Sequence, residues 1–84
     1  MPENQFELPI VVSGQRLEVD VNVHEVLEKV VQKALQKSGN VGQTPSDWEL
    51  RLNGVLLPLT ETVGAAGLSE ETVVFLSPKT ASGG

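Results

Sequence analysis

The stretch Asn22–Gly39, "NVHEVLEKVVQKALQKSG", decides the fold of this chain. Val23, Val26, Leu27, Val30, Val31, Ala34 and Leu35 recur at the i, i+3, i+4, i+7 spacing of one helix face. Asn22 is placed to act as N-cap, and Glu25 three residues on completes a capping-box pattern. Val21 and Val26 can form the accompanying hydrophobic staple. Glu25 and Lys29 stand four apart in the favourable order, while Lys33 and Lys37 lie toward the negative end of the helix dipole. Gly39 suits a left-handed C-cap. Each valine lowers intrinsic helix propensity by roughly 0.5 kcal/mol. Burial of the stripe contributes about 1.5–3 kcal/mol per large apolar side chain, which outweighs that loss. Such a helix forms because it has a sheet to pack on.

The sheet is visible on both sides of it. Upstream, Phe6, Leu8, Ile10 and Val12 alternate with Glu7, Pro9 and Val11, the pattern of a half-buried strand. "SGQR" (Ser13–Arg16) supplies a turn, and Leu17, Val19 and Val21 then alternate with Glu18 and Asp20, so the two runs form a hairpin. Downstream, "NVGQTPSD" (Asn40–Asp47) is a loop by composition. Trp48, Leu50 and Leu52 alternate with Glu49 and Arg51 before Asn53-Gly54, the strongest two-residue hairpin signal. Val55–Leu57 return as a short strand ended by Pro58. Residues 60–72 are a loop anchored by Val63 and Leu68, and Thr72–Ser77 form a last strand. Its four consecutive apolar residues place Val73 and Phe75 on one face and Val74 and Leu76 on the other.

Composition closes several doors. The chain has 84 residues, enough for one domain with one modest core. Eleven acidic residues against six basic ones give a net charge of −5, and no basic stripe of a nucleic-acid binder is present. No apolar run reaches the roughly 20 residues that span a bilayer, and "MPENQFELP" lacks a signal-peptide pattern, which leaves the cytoplasm as the default compartment. There is no cysteine and a single histidine, His24, so no thiol nucleophile, nucleophile–base pair or metal constellation can be assembled. No cofactor and no catalytic activity of its own are expected.

The element order is strand, strand, helix, strand, short strand, strand. It suits an α+β fold of the β-grasp type, the ubiquitin-like roll: a mixed sheet of four to five strands with one long helix packed across one face. In that arrangement the final strand is central and lies beside the first. The expected organisation is a disordered N-terminus (1–5), the domain (6–77) and a flexible tail (78–84) ending in Gly83-Gly84.

At this point "VSGQRLEVDVN", "VHEVLEKVVQKAL", the "LRLNGVLL" hairpin and the closing "GG" together resemble a ubiquitin-like protein over nearly the whole chain. "GNVGQTPSDWELR" resembles the bacterial ubiquitin-like modifiers that are encoded with their own activating, conjugating and deconjugating enzymes. "VHEVLEK" is also similar to the small bacterial sulfur carriers, which share the fold and the terminal Gly-Gly. The resemblance implies that Gly84 bears the carboxylate to be activated with ATP and transferred, by way of enzyme thioesters, to lysine amines. Gly83, lacking a Cβ, would admit that group to a narrow enzyme channel. Pro78, Lys79, Thr80, Ala81 and Ser82 would present it. The implied partners are an activating enzyme, a conjugating enzyme, a JAB-type metallopeptidase and target proteins of unknown identity, with the chain itself monomeric and binding neither nucleic acid nor membrane. Two other readings stay open: a sulfur carrier with a thiocarboxylate at Gly84, and a non-covalent interaction domain whose closing glycines are incidental.

Departures from ubiquitin carry information. Arg51 stands where ubiquitin's main binding patch has an isoleucine, and Pro78 and Lys79 stand in the region of ubiquitin's basic tail. A cognate activating enzyme of a different preference is therefore implied. Val11, Arg51, Val74 and Leu76 are the candidate interaction patch on the sheet face away from the helix, or else cross-strand packing on that face. Lys29 and Lys33 are candidate acceptors for chain formation, or else part of a solvated helix face with Lys37. Trp48 has the phase of a core residue.

Overall fold

Two turns set the framework. In the computed structural model, which describes residues 4–79, Ser13-Gly14 and Asn53-Gly54 both take left-handed conformations, with φ of 49° and 88° in the first and 53° and 82° in the second. Two successive left-handed residues make the tight turn whose twist matches that of paired strands. The first joins β1 (Gln5–Val12) to β2 (Gln15–Asn22) and the second joins β3 (Trp48–Leu52) to β4 (Val55–Leu57). Gln15 and Arg16, expected in the first turn, are instead the opening residues of β2, paired with Val12 and Val11. β1 begins at Gln5, one residue before the expected domain start.

The fifth strand, β5 (Val74–Pro78), lies between the hairpins in the order β2-β1-β5-β3-β4. It runs parallel to β1 and antiparallel to β3, with Val74 opposite Ile10 and Leu76 opposite both Val12 and Leu50. The expected mixed sheet with a central last strand is therefore present. Register also fixes the face of each β5 residue, because lateral neighbours share a face. Ile10, Val12 and Leu50 point to the core, so Val74 and Leu76 do too, at 0% and 1% exposure. This corrects the expected patch: Val74 and Leu76 are core residues, and Phe75 is the outward side chain of β5. Four apolar residues in a row carry no alternation, so only the pairing partner could decide the phase.

The single long helix, α1 (Leu27–Lys37), packs against β2 and β1 and buries Leu27, Val30, Val31, Ala34 and Leu35. It ends as expected, with Gly39 at φ 87° and the Asn40 amide donating to the Leu35 carbonyl at 2.7 Å. Its start differs. The N-cap is Val26, without a side-chain cap. Asn22 and Glu25 instead close a turn that precedes the helix: Asn22 N–H donates to the Glu25 carboxylate, Glu25 N–H to the Asn22 carbonyl, and His24 N–H to the Asn22 side-chain oxygen. The first helical amides are satisfied by the later loop instead: Leu27 N–H donates to the Glu61 carbonyl at 2.8 Å and Glu28 N–H to the Leu59 carbonyl at 3.0 Å. Amides at a helix start need acceptors, and a long-range loop supplies them here. The same loop is stitched down by Val63 N–H to the Glu25 carbonyl and Gly64 N–H to the Val23 carbonyl, each at 2.9 Å. Val63 and Leu68 anchor it in the core as expected, and Trp48 is buried.

Candidate functional site

Two features bear on the candidate site: the exit of the chain from β5 and the sheet face opposite α1. β5 is held on both sides almost to its end. Ser13 N–H donates to the Leu76 carbonyl at 3.2 Å, Pro78 pairs with Trp48, and Lys79 N–H donates to the Asp47 carbonyl at 2.9 Å. Asp47 ends the 3-10 turn Pro45–Asp47, which is wedged against α1 by the buried Pro45. Pro78 and Lys79, expected as the first residues of the tail, are thus fixed by backbone pairing, and the chain leaves the described structure from a rigid central strand. Thr80, Ala81, Ser82, Gly83 and Gly84 lie outside the described residues.

Beside this exit lies an open groove of about 300 Å³ lined by Trp48, Glu49, Leu56, Leu57, Pro58 and Lys79. β4 ends at Leu57, so no β4 residue pairs with Trp48, which stays buried in the core while contributing to the groove lining. Trp48 therefore serves the core with one side and borders the groove with the other.

Across the outward face, strand register draws a lateral row. Arg16 pairs with Val11, Val11 with Phe75, Phe75 with Arg51, and Arg51 with Leu56. Phe75 is 52% exposed and Leu56 54%. Arg51 reaches Glu49 on the same strand at 3.1 Å, an exposed ion pair beside the aromatic ring's strand position. Of the residues expected in the patch, Val11 and Arg51 belong to this row. Phe75 and Leu56 complete it in place of Val74 and Leu76. No alternation marked Phe75, which lies in the apolar run Val73–Leu76. None marked Leu56, because the run Val55–Leu57 is apolar throughout.

The helix lysines divide. Lys33 Nζ bonds the Asp20 carbonyl at 2.8 Å and the Glu25 carboxylate at 2.7 Å, and Lys37 Nζ bonds the Glu18 carbonyl. Lys29 is exposed and borders a shallow recess with His24 and Val26. Of the two candidate acceptors, Lys29 carries no such bond among the described residues. His24 is a surface residue. No helix among the described residues is long and apolar enough to cross a membrane.

The same architecture recurs in solved structures. A designed protein based on ubiquitin superposes with a TM-score of 0.80 at 20% identity, covering 98% of both chains. Ubiquitin from Caldiarchaeum subterraneum gives 0.74 at 22% identity, over 92% of this chain and 96% of that one. The fold is the ubiquitin-like β-grasp. A curated relative, the uncharacterized protein y4jI of Sinorhizobium fredii (strain NBRC 101917 / NGR234), is 34% identical over 76 residues, 89% of this chain, which spans 58% of that relative's length. A family model described as "Protein of Unknown function (DUF2604)" matches residues 1–84, and the chain belongs to that family.

Proposed function

We propose that this ubiquitin-like protein is a protein modifier, joined through the carboxylate of Gly84 to lysine amines of target proteins in the cytoplasm. A carboxylate is a poor electrophile. In the proposed sequence a cognate activating enzyme converts it with ATP to an acyl-adenylate, releasing pyrophosphate. An enzyme thiol then displaces AMP to give a thioester, and a lysine amine finally displaces the thiol, forming an isopeptide bond. A metallopeptidase of the JAB type would reverse the last step by hydrolysis. All catalytic groups belong to the partners, and this chain supplies an oriented acyl group.

The observation that carries the reading is the placement of β5. The strand leading to Gly83-Gly84 is the central one, locked between β1 and β3 and pinned through Lys79 to Asp47. A short side-chain-poor segment therefore starts from a fixed point, next to the Trp48–Leu56 groove and the outward Phe75 row, two surfaces that partner enzymes can grip. Arg51 in that row sets its recognition apart from ubiquitin's.

The test is reconstitution. The chain is incubated with its activating and conjugating enzymes and ATP, and products are read by mass spectrometry. Isopeptide adducts of the intact chain, absent when Gly83 and Gly84 are deleted, are expected. Equal products from both would refute the reading. Replacement of one terminal oxygen by sulfur on the intact chain, in place of adducts, would make it a sulfur carrier.

A further inference from the structure

β2 is an outer strand of the sheet and, at eight residues, its longer free edge. The two-residue turn at Ser13-Gly14 fixes which of its backbone groups are unpaired. Val12 and Gln15 flank the turn as a hydrogen-bonded pair, and bonding alternates from there, so Leu17, Val19 and Val21 face β1. The backbone groups of Arg16, Glu18 and Asp20 face outward. An exposed row of this kind is a template for an added strand unless something covers it.

Here α1 covers it. Lys33 Nζ sits on the Asp20 carbonyl and Lys37 Nζ on the Glu18 carbonyl, while Glu25 accepts from the outward Asn22 N–H at 3.1 Å and holds Lys33 through its second oxygen. The match has a geometric cause. Residues four apart on a helix are separated by about 6 Å along its axis. Residues two apart on a strand are separated by about 6.8 Å. The helix and the strand run in opposite directions, so rising helix positions 33 and 37 meet falling strand positions 20 and 18 almost in step. The result is a rail of side chains fastened along the strand edge.

We propose that α1 guards the β2 edge: Lys33 and Lys37 occupy its outward carbonyls and thereby keep the same edge of a second copy from pairing with it. The excluded pairing is antiparallel about a twofold axis at Val19, where Glu18 of each copy would exchange N–H and C=O bonds with Asp20 of the other. The carboxylates of Glu18 and Asp20 would then face one another, a second barrier that salt screens. Lysine is thereby a structural residue at these two positions, whereas Lys29, one turn earlier on the same stripe, holds no edge carbonyl.

The test compares the 84-residue chain with K33M/K37M, which keeps the stems and removes the donors, at about 1 M salt, where the Debye length is roughly 3 Å. K29M/K79M has the same composition change away from the edge, and K33R/K37R restores donors. Sedimentation should show wild type, K29M/K79M and K33R/K37R monomeric and K33M/K37M dimerising with concentration. Amide exchange at Glu18 and Asp20 should slow by about tenfold or more in the dimer alone. The proposal is overturned if K33M/K37M stays monomeric, or if K29M/K79M associates equally, or if association leaves the Glu18 and Asp20 amides unprotected.

Discussion

On the helix side of the sheet, Leu8, Ile10, Val12, Leu50, Val74 and Leu76 are each at most 2% exposed. On the opposite side, Phe75 stands between Val74 and Leu76 in the same strand and is 52% exposed, with Leu56 at 54% in the outermost strand. Side chains of similar size and polarity thus have opposite environments one residue apart. What separates them is the second layer: α1 and the loop carrying Val63 and Leu68 cover the first face, and no element among the described residues covers the other. The inner face accounts for the fold. The outer one leaves apolar surface exposed, with Phe75 between Arg16 and Arg51 in the lateral row, and under the proposed function it is the recognition face.

The sharpest way to break that contrast is to truncate adjacent residues of β5. Leu76→Ala removes a fully buried side chain at the junction of β1, β3 and β5 and should cost about 2–5 kcal/mol in urea unfolding. For a domain of this size, whose whole stability is on the order of 4–12 kcal/mol, that is a large share. Phe75→Ala loses cross-strand contact only and should cost less than about 1 kcal/mol. Under the proposed function it should nonetheless weaken engagement by the activating or conjugating enzyme more than Leu76→Ala does in its folded fraction. Equal destabilisation by the two changes would show that the outward face is packed after all.

A smaller effect isolates the hairpin that brings Leu56 into the outward row. Gly54 has φ of 82°, and a Cβ there would meet nothing within 4 Å, so Gly54→Ala tests backbone strain alone. The expected loss is about 1–2 kcal/mol, with amide protection falling in β3 and β4 and holding in β1 and β2. A uniform loss would mean that β4 is as integral to the core as β2.

How much of this was legible in the sequence follows from the same contrast. Where polar and apolar residues alternate, as in Leu17–Asp20 or Trp48–Leu52, both element and face could be read directly. The helix stripe and the Asn53-Gly54 turn were equally plain, because each depends on near neighbours. Reading stopped where the deciding contact is distant. The face of Val74 is set by Ile10, and the helix start is set by carbonyls of Leu59 and Glu61, which no local pattern around Asn22 announces. The edge bonds of Lys33 and Lys37 belong with these, since they depend on α1 lying antiparallel to β2. Of the site, Gly83 and Gly84 were visible as residues, Arg51 and Val11 as outward positions, and Phe75 and Leu56 emerged only from register.

The mildest change concerns Arg51, and it separates stability from recognition most cleanly. Its guanidinium lies 3.1 Å from Glu49, with both side chains partly in water. Exposed pairs of this kind contribute little, so Arg51→Ala should shift stability by less than about 0.5 kcal/mol. Arg51→Ile should do the same, since isoleucine suits a strand, while joining Val11, Phe75 and Leu56 into one unbroken apolar row. The measurable difference is therefore in binding: if the outward face is the recognition surface, Arg51→Ile lowers affinity for the cognate partner and raises it for proteins that read ubiquitin's isoleucine patch. Unchanged binding of both, at unchanged stability, would move recognition off this face and onto the Trp48 groove beside the exit of β5.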